Sequence, residues 1–171
     1  DGAQRIKAII QGLKDFSRQD QAEAGDLDLN QVIKDSLLLV GSELKYHTEV
    51  QCELNEIPRL TGYPQRLGQV FINLLVNAAH AIKAPGVIKI STRLESGQVV
   101  ARVADDGCGI PAEQLQKIFE PFYTTKEIGV GTGLGLSIIK NIVEQHQGWI
   151  KVQSKVGEGT VFTLGFPIIE I

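Results

Sequence analysis

Cysteine is scarce in this chain. The only two, Cys52 and Cys108, stand far apart and in no metal-ligand or redox spacing. They offer no disulfide framework and no cysteine motif, and they agree with a reducing, cytoplasmic setting. No apolar run approaches the ~20 residues that a membrane-spanning helix needs. No secretory leader is visible. The formal charge is -3, so the basic footprint of a nucleic-acid binder is missing. Blocks of like charge, internal repeats and low-complexity tracts are absent as well. What remains is 171 residues, 43% of them hydrophobic and 22% charged. That suits one well-buried domain, with room for an appendage. A helical pattern is already under way at Asp1, as expected of a piece of something longer.

That opening pattern runs from about Asp1 to Asp20. Ala3, Ile6, Ile10, Leu13 and Ser17 step by three and four, and Ile9 and Phe16 widen the stripe. So broad an apolar seam calls for a partner helix outside the chain, in a bundle or coiled coil. Gln21 to Asp28 is polar and carries Gly25, which reads as a hinge or linker. Asn30 is the expected cap of a helix from about Gln31 to Lys45. Val50 to Leu54 reads as a strand, and Ile57 to Thr61 as a short extended piece.

Pro64 suits the first turn of the next helix. Leu67, Val70, Phe71, Leu74, Leu75, Ala78 and Ile82 form its apolar face. A second stripe, Arg66, Gln69, Asn73, Asn77 and His80, lines another side of the same helix. Asn is a poor helix former, so two inside a helix need a reason. Two readings stay open from the residues alone. One is a site where amide oxygens meet a hard cation and amide N–H groups meet phosphate or base. The other is a buried polar seam joining two elements.

Two alternating strands follow, Val87 to Glu95 and Gln98 to Asp105, with Ser96-Gly97 as the hairpin turn. Ile88, Ile90, Thr92 and Leu94 share one face. So do Val99, Ala101 and Val103, and Asp105 continues their phase. An inward carboxylate needs a donor, from the protein or from a ligand. Asp106-Gly107-Cys108-Gly109-Ile110-Pro111 comes next, with glycines that admit close approach. Pro111 opens a short helix to about Ile118, ended by Pro121. Phe119 to Lys126 has poor periodicity and reads as a mobile loop. Gly129, Gly131, Gly133 and Gly135 lead into a helix carrying Leu134, Ile138 and Ile142, with Gly148 as its stop. Glycines that open a helix make an anion site, because N–H groups and the helix dipole both favour phosphate. A closing hairpin, Trp149 to Ser154 and Thr160 to Phe166, surrounds Gly157-Glu158-Gly159, with Thr160, Phe162, Leu164 and Phe166 inward. The whole reads as a two-layer α/β sandwich, a mixed but mostly antiparallel sheet with helices on one face.

With these segments in order, about Leu29 to Pro167 resembles the catalytic, ATP-binding domain of sensor histidine kinases. That domain belongs to the superfamily of gyrase, heat-shock chaperone and mismatch-repair ATPases (the GHKL group, with the Bergerat fold). Gln69 to Ala78 is similar to its N box. Asp105 to Ile110 is similar to the first glycine box, Phe119 to Phe122 to the F box, Gly131 to Ser137 to the second glycine box, and Gly157 to Thr160 to a third. Phe119 to Lys126 resembles the short-lid kinases. Each box alone is weak, and five in order are specific. The opening helix resembles the second helix of the dimerisation and phosphotransfer hairpin. The implied division is residues 1–22 for that helix, 23–29 for a linker and 30–171 for the catalytic domain.

The resemblance implies ATP and Mg²⁺ as cofactors and assigns roles. Asp105 would accept from the adenine amino group, while Gly107, Gly109 and Ile110 would let the base approach. Asn77 would hold Mg²⁺ through its amide oxygen, with Asn73 on the same side. His80 and Ala81 would stand near the phosphates. Tyr123 would cover the base, and Thr124 and Lys126 would reach the phosphates. Gly131, Thr132, Gly133, Leu134, Gly135 and Leu136 would cradle them, and Thr160 and Phe162 would form the floor or rim. Asn73, Asn77 and Lys126 would carry catalysis. The implied reaction is γ-phosphoryl transfer to a histidine on the missing hairpin helix, in two-component signalling. The implied partners are the chain's own hairpin, a response regulator and a second copy in the full-length homodimer, with no nucleic acid and no membrane contact by this stretch.

His47 and His146 stand in no phosphoacceptor motif and read as residues that complement helix C-termini. A GHKL-type ATPase and a nucleotide-dependent partner-binding module are the rival readings. The superfamily's ATPases carry a water-activating Glu where Asn73 stands, and an amide cannot serve as that base. A binding module would be marked by loss of Asn77 or Asp105, and both are present. A kinase of serines on a partner protein is disfavoured by the bundle-like first helix.

Overall fold

The computed structural model describes residues 3, 6, 7, 10, 23–44, 48–83, 85–124 and 133–168. Its strands are β1 (Gly25–Leu27), β2 (Thr48–Leu54), β3 (Leu60–Gly62), β4 (Gly86–Glu95), β5 (Gln98–Asp105), β6 (Trp149–Lys155) and β7 (Gly159–Pro167). The alternating segments build a five-stranded sheet in the order β2-β4-β5-β7-β6. Only β2 and β4 run parallel, so the sheet is mixed and mostly antiparallel, as expected. Ser96 and Gly97 both take positive φ, 53° and 74°. That is the type I′ geometry whose twist suits a two-residue hairpin.

Among the described residues the periodic stretches give the helices α1 (Leu29–Leu39), α2 (Gly41–Leu44), α3 (Pro64–Ala81) and α4 (Gly135–Gln145). α3 packs on α1 along one flank and on α4 along the other. Its apolar face, Leu67, Val70, Phe71, Leu74, Leu75 and Ala78, is buried against the sheet. Val99, Ala101 and Val103 of β5 meet it, with Phe162, Leu164 and Phe166 of β7. Each large side chain removed from water here contributes ~1.5–3 kcal/mol. The helices therefore hold α3 and the inner ends of β5 and β7 in one layer contact, and the candidate site is built on that contact.

Several local expectations are corrected. Residues 25–27, read as part of a linker, pair antiparallel with Leu60–Gly62, and Leu27 enters the core. The cap of α1 is Asp28, whose Oδ1 accepts from the Asn30 and Gln31 N–H groups. Asn30 instead bridges outward, donating to Asn55 O at 2.8 Å and accepting from Thr92 Oγ1 at 2.7 Å. The helix stops at Leu39 rather than near Lys45, because Val40 leaves helical geometry and Gly41 starts a separate turn. Leu94, expected inward, is exposed, since β4 runs past the helical layer near the hairpin tip. Pro111 precedes a single 3₁₀ turn, Ala112–Gln114, instead of a helix to Ile118. At the end of α4 the left-handed residue is Gln147, with φ 57°. Gly148 donates back to Val143 O, and a side chain on it would strike Gly165 O. Gly148 is thus required by close packing more than by helix termination.

Candidate functional site

Asp105 is the last residue of β5. Register places it between Ile88 of β4 and Thr160 of β7. Its carboxylate is half-buried, and Oδ1 accepts the Gly107 N–H at 2.9 Å. Burial pushes this carboxyl above its ordinary 3.8. The Gly107 and Thr160 N–H groups pull it back, and the neighbouring Asp106 pushes it up again. A carboxylate held in low dielectric by strand backbone is a strong acceptor waiting for a donor.

The glycines beside it are packed closely by the protein's own backbone. A Cβ on Gly107 would lie 2.6 Å from the Ala81 carbonyl oxygen. That same oxygen accepts the Cys108 N–H at 3.0 Å, which ties the loop to the last turn of α3. Gly109, with φ 75°, fits against the Lys155 carbonyl. Gly159, with φ 115°, fits against the backbone of Asp105 and Asp106. Here the missing side chains admit the protein's own backbone. The three glycines press the β5 end, the α3 end and the β6–β7 turn into one unit.

Ser154 completes that unit. Its hydroxyl receives the Ile110 N–H at 2.7 Å, donates to Gly159 O at 2.9 Å and meets Thr160 Oγ1 at 2.8 Å. Thr160 and Phe162 are buried. Sequence reasoning missed Ser154, which joins its own hairpin, at Gly159 and Thr160, to the distant Ile110. Asp106 was named only for its place in the glycine stretch. Its Oδ1 accepts the Val87 N–H at 2.9 Å and so caps the start of β4.

The amide stripe of α3 divides. Arg66 is buried at the helix start, stacked 4.4 Å over the Tyr63 ring, and Nη1 donates to Gln145 Oε1 at 2.7 Å. This end is the polar seam between two elements that the second reading described. Gln69, Asn73 and Asn77 are half-buried, and His80 is exposed in the last turn, next to Ala81. That end runs toward the glycine loop. Among the described residues no group of three His, Cys, Asp or Glu side chains could hold a metal by itself.

The remaining candidates cluster where the chain leaves and re-enters. Phe122 has φ 67°, Gly133 has φ 72°, and the Phe122 N–H donates to Gly133 O at 2.9 Å. A side chain on Gly133 would strike the Phe122 backbone. Tyr123 and Thr124 are half-buried just after this junction. Leu134, Gly135 and Leu136 open α4, where the Ser137 hydroxyl donates to Leu134 O at 2.9 Å. Lys126, Gly131 and Thr132 lie outside the described residues, as does His47.

His146 is not a cationic complement to a helix end. It is the C-cap of α4 and buried, with Nδ1 2.7 Å from Ile142 O and Nε2 accepting the Tyr63 N–H at 3.0 Å. Both ring nitrogens are used only if Nδ1 carries the proton and the ring is neutral. Burial lowers its pKa from 6.5, and the Arg66 charge adds to this against the pull of the Ile142 carbonyl.

Comparison with known proteins agrees with this arrangement. Residues 62–170 match the family described as histidine kinase-, DNA gyrase B-, and HSP90-like ATPase. The chain is 40% identical over 170 residues to the sensor histidine kinase ZraS of Klebsiella oxytoca, covering 97% of the chain and 36% of that protein. It is 39% identical over 166 residues to the signal transduction histidine-protein kinase AtoS of Escherichia coli K12, covering 95% and 27%. The chain thus spans about a third of the length of these curated relatives. Among solved structures, the catalytic domain of histidine kinase ThkA superposes with a TM-score of 0.76 at 35% identity, over 85% of this chain and 96% of that one. ThkA in complex with the response regulator TrrA superposes at 0.79 with 30% identity, over 96% and 48%. Among the described residues no helix is long and apolar enough to cross a membrane. The chain belongs to the histidine kinase-, DNA gyrase B- and HSP90-like ATPase family, and within it resembles the catalytic domains of sensor histidine kinases.

Proposed function

We propose that this domain binds Mg²⁺-ATP and directs its γ-phosphoryl group to a histidine on the other helix of a dimerisation hairpin. The observation that carries the reading is Asp105, a half-buried carboxylate at a strand end, raised by burial and backed by two backbone donors. An adenine amino group is the donor such an acceptor fits. The amides of α3 suit the other end of the nucleotide. Asn77 offers a neutral oxygen one turn before the helix end, and Mg²⁺ is commonly held by one or two protein oxygens together with phosphates. The bound nucleotide supplies the phosphoryl group, and the cation supplies neutralising charge.

This chain's own residues bind, orient and exclude water. Thr160 and Phe162 close the floor under Asp105. Tyr123 covers the base, Thr124 and Lys126 hold phosphate oxygens, and the backbone of residues 131–136 cradles them at the start of α4. His80 and Ala81 border the phosphates, and Asn73 lines the same wall. Positioning and electrostatics are what phosphoryl transfer mainly asks of a protein. A neutral imidazole acceptor needs no strong base, and Asn73 supplies none. That choice separates the reading from an ATPase that activates water.

Residues 1–22 are proposed as the second hairpin helix, residues 23–29 as its connection and residues 30–171 as the catalytic domain. Residues 3, 6, 7 and 10 are helical, and Ile6 and Ile10 are exposed. An apolar pair left in water at helical spacing suits a helical partner. A second copy and a response regulator are the proposed partners of the full-length protein. The test is calorimetric titration with a non-hydrolysable ATP analogue, with and without Mg²⁺, followed by addition of a hairpin carrying its histidine. Binding strengthened by Mg²⁺ and acid-labile phosphate on the hairpin are the expected results. Nucleotide hydrolysis without hairpin phosphorylation would favour the ATPase.

A further inference from the structure

The helices cover one face of the five-stranded sheet, and the other face carries a hollow of about 640 Å³. Pair register and alternation set its floor. Val100, Gly165 and Trp149 stand in one row across β5, β7 and β6, with Arg102, Thr163 and Lys151 in the next. Gly165 has no room for a side chain because the Trp149 indole lies on it. Val100, although on this outer face, is only 4% exposed. The Trp149 N–H donates to Gln98 Oε1 at 2.9 Å, and Lys151 Nζ sits 4.9 Å from the indole ring centre. The indole is therefore fixed in orientation, and Phe119 adds a second aromatic wall.

Charge on this face is sorted. Among the described residues neither Arg102 nor Lys151 has a carboxylate within ion-pair distance. The one carboxylate lining the hollow, Glu95, is held by Arg93 at 2.8 Å. Glu49 and Glu53 stand on β2, at the opposite edge of the sheet. In a chain of formal charge -3, the hollow is locally basic. A rigid aromatic platform flanked by two unneutralised cations matches an extended acidic segment that also carries apolar side chains.

We propose that this hollow is a docking site for an acidic, apolar-bearing peptide segment of a partner protein. It lies on the side of the sheet away from α3 and does not depend on the nucleotide reading. Trp149 is the sole tryptophan of the chain, so its emission reports on the hollow directly. The probe is a capped ten-residue peptide of alternating Glu and Leu, titrated against the intact chain. The control peptide replaces each Glu with Gln. A saturable change in Trp149 emission with the acidic peptide is expected. It should weaken at least tenfold in the Arg102→Gln/Lys151→Gln double variant and weaken with added salt. The control peptide should give no change. Binding of the ATP analogue and the far-UV spectrum should stay as in the parent protein. No emission change at millimolar peptide would overturn the proposal. So would equal binding by the double variant, or equal quenching by inorganic polyphosphate, which would mark an unspecific anion surface.

Discussion

The two ends of the candidate site are built on different principles. At the strand end, Asp105, the loop of residues 106–110 and the β6–β7 turn are locked by backbone contacts that only glycine permits, and by the Ser154 hydroxyl. At the other end, the Phe122 N–H donates to Gly133 O between two backbones of positive φ, just before α4 begins. A rigid end suits recognition of a flat base by one fixed acceptor. An end built where a helix begins suits a phosphate chain, because backbone N–H groups and the helix dipole both favour negative charge.

The sharpest way to break this contrast is at the rigid end. Gly159→Ala adds a side chain at φ 115°, against the Asp105 backbone. A strained backbone costs ~1–3 kcal/mol and the overlap costs more. The expected loss is therefore about 3 kcal/mol or greater, read as a lower urea midpoint. Unchanged stability would mean the strand end is not locked as described.

Asp105→Asn keeps the shape and removes the charge. Nucleotide affinity should fall about 10–100-fold, the scale of one charge-assisted hydrogen bond of ~1.5–3 kcal/mol. Stability should move the other way. Because burial raises the Asp105 pKa, its favourable contribution belongs to pH below 3.8 and is lost as pH rises through the folded value. At pH 7 the ionised group works against folding, so the amide should leave stability equal or higher. Equal nucleotide affinity would remove adenine from Asp105.

Asn77→Ala addresses the other end. Its effect should appear only with the cation present: about a tenfold loss of Mg²⁺-dependent affinity, and none in a chelator. A loss of the same size in both conditions would make Asn77 a packing residue instead.

The smallest effect is expected away from both ends, at His146. Its pKa is lowered, so the unfolded chain takes up a proton first as pH falls below 6.5. The stability it contributes is complete above that value and lost on acidification. Urea denaturation at pH 7.5 and 5.5 should show a smaller difference for His146→Gln than for the parent protein. Identical differences would show that the imidazole does not titrate with folding.

Much of the candidate site could be read in the sequence because it repeats at fixed spacing. The α3 stripe, the inward phase of Asp105 and the glycine-rich opening of α4 are local patterns, set by 3.6- and 2-residue periods. What escaped was long-range. Ser154 serves Ile110, His146 serves Tyr63, and Arg66 serves Gln145. Such bonds leave no periodic trace. Glycine was read correctly as a sign of close approach, but which atoms approach is a tertiary fact. The same limit explains the cap of α1: Asp28 and Asn30 are both good caps, and Asn30 was taken away by Asn55 and Thr92.

The sequence by itself determined the order of the five strands of the main sheet and of the long helices α3 and α4, the two-layer class, the inward carboxylate and the amide row. Each is a consequence of hydrophobic phase, which every residue carries wherever it folds. Only the tertiary structure decided which backbone fills each glycine's missing side chain, which half of the amide row faces the glycine loop, and that the outer sheet face holds a basic hollow around Trp149. These depend on strand register and on packing between elements distant in the chain. Periodicity specifies a face, and packing specifies what stands opposite it.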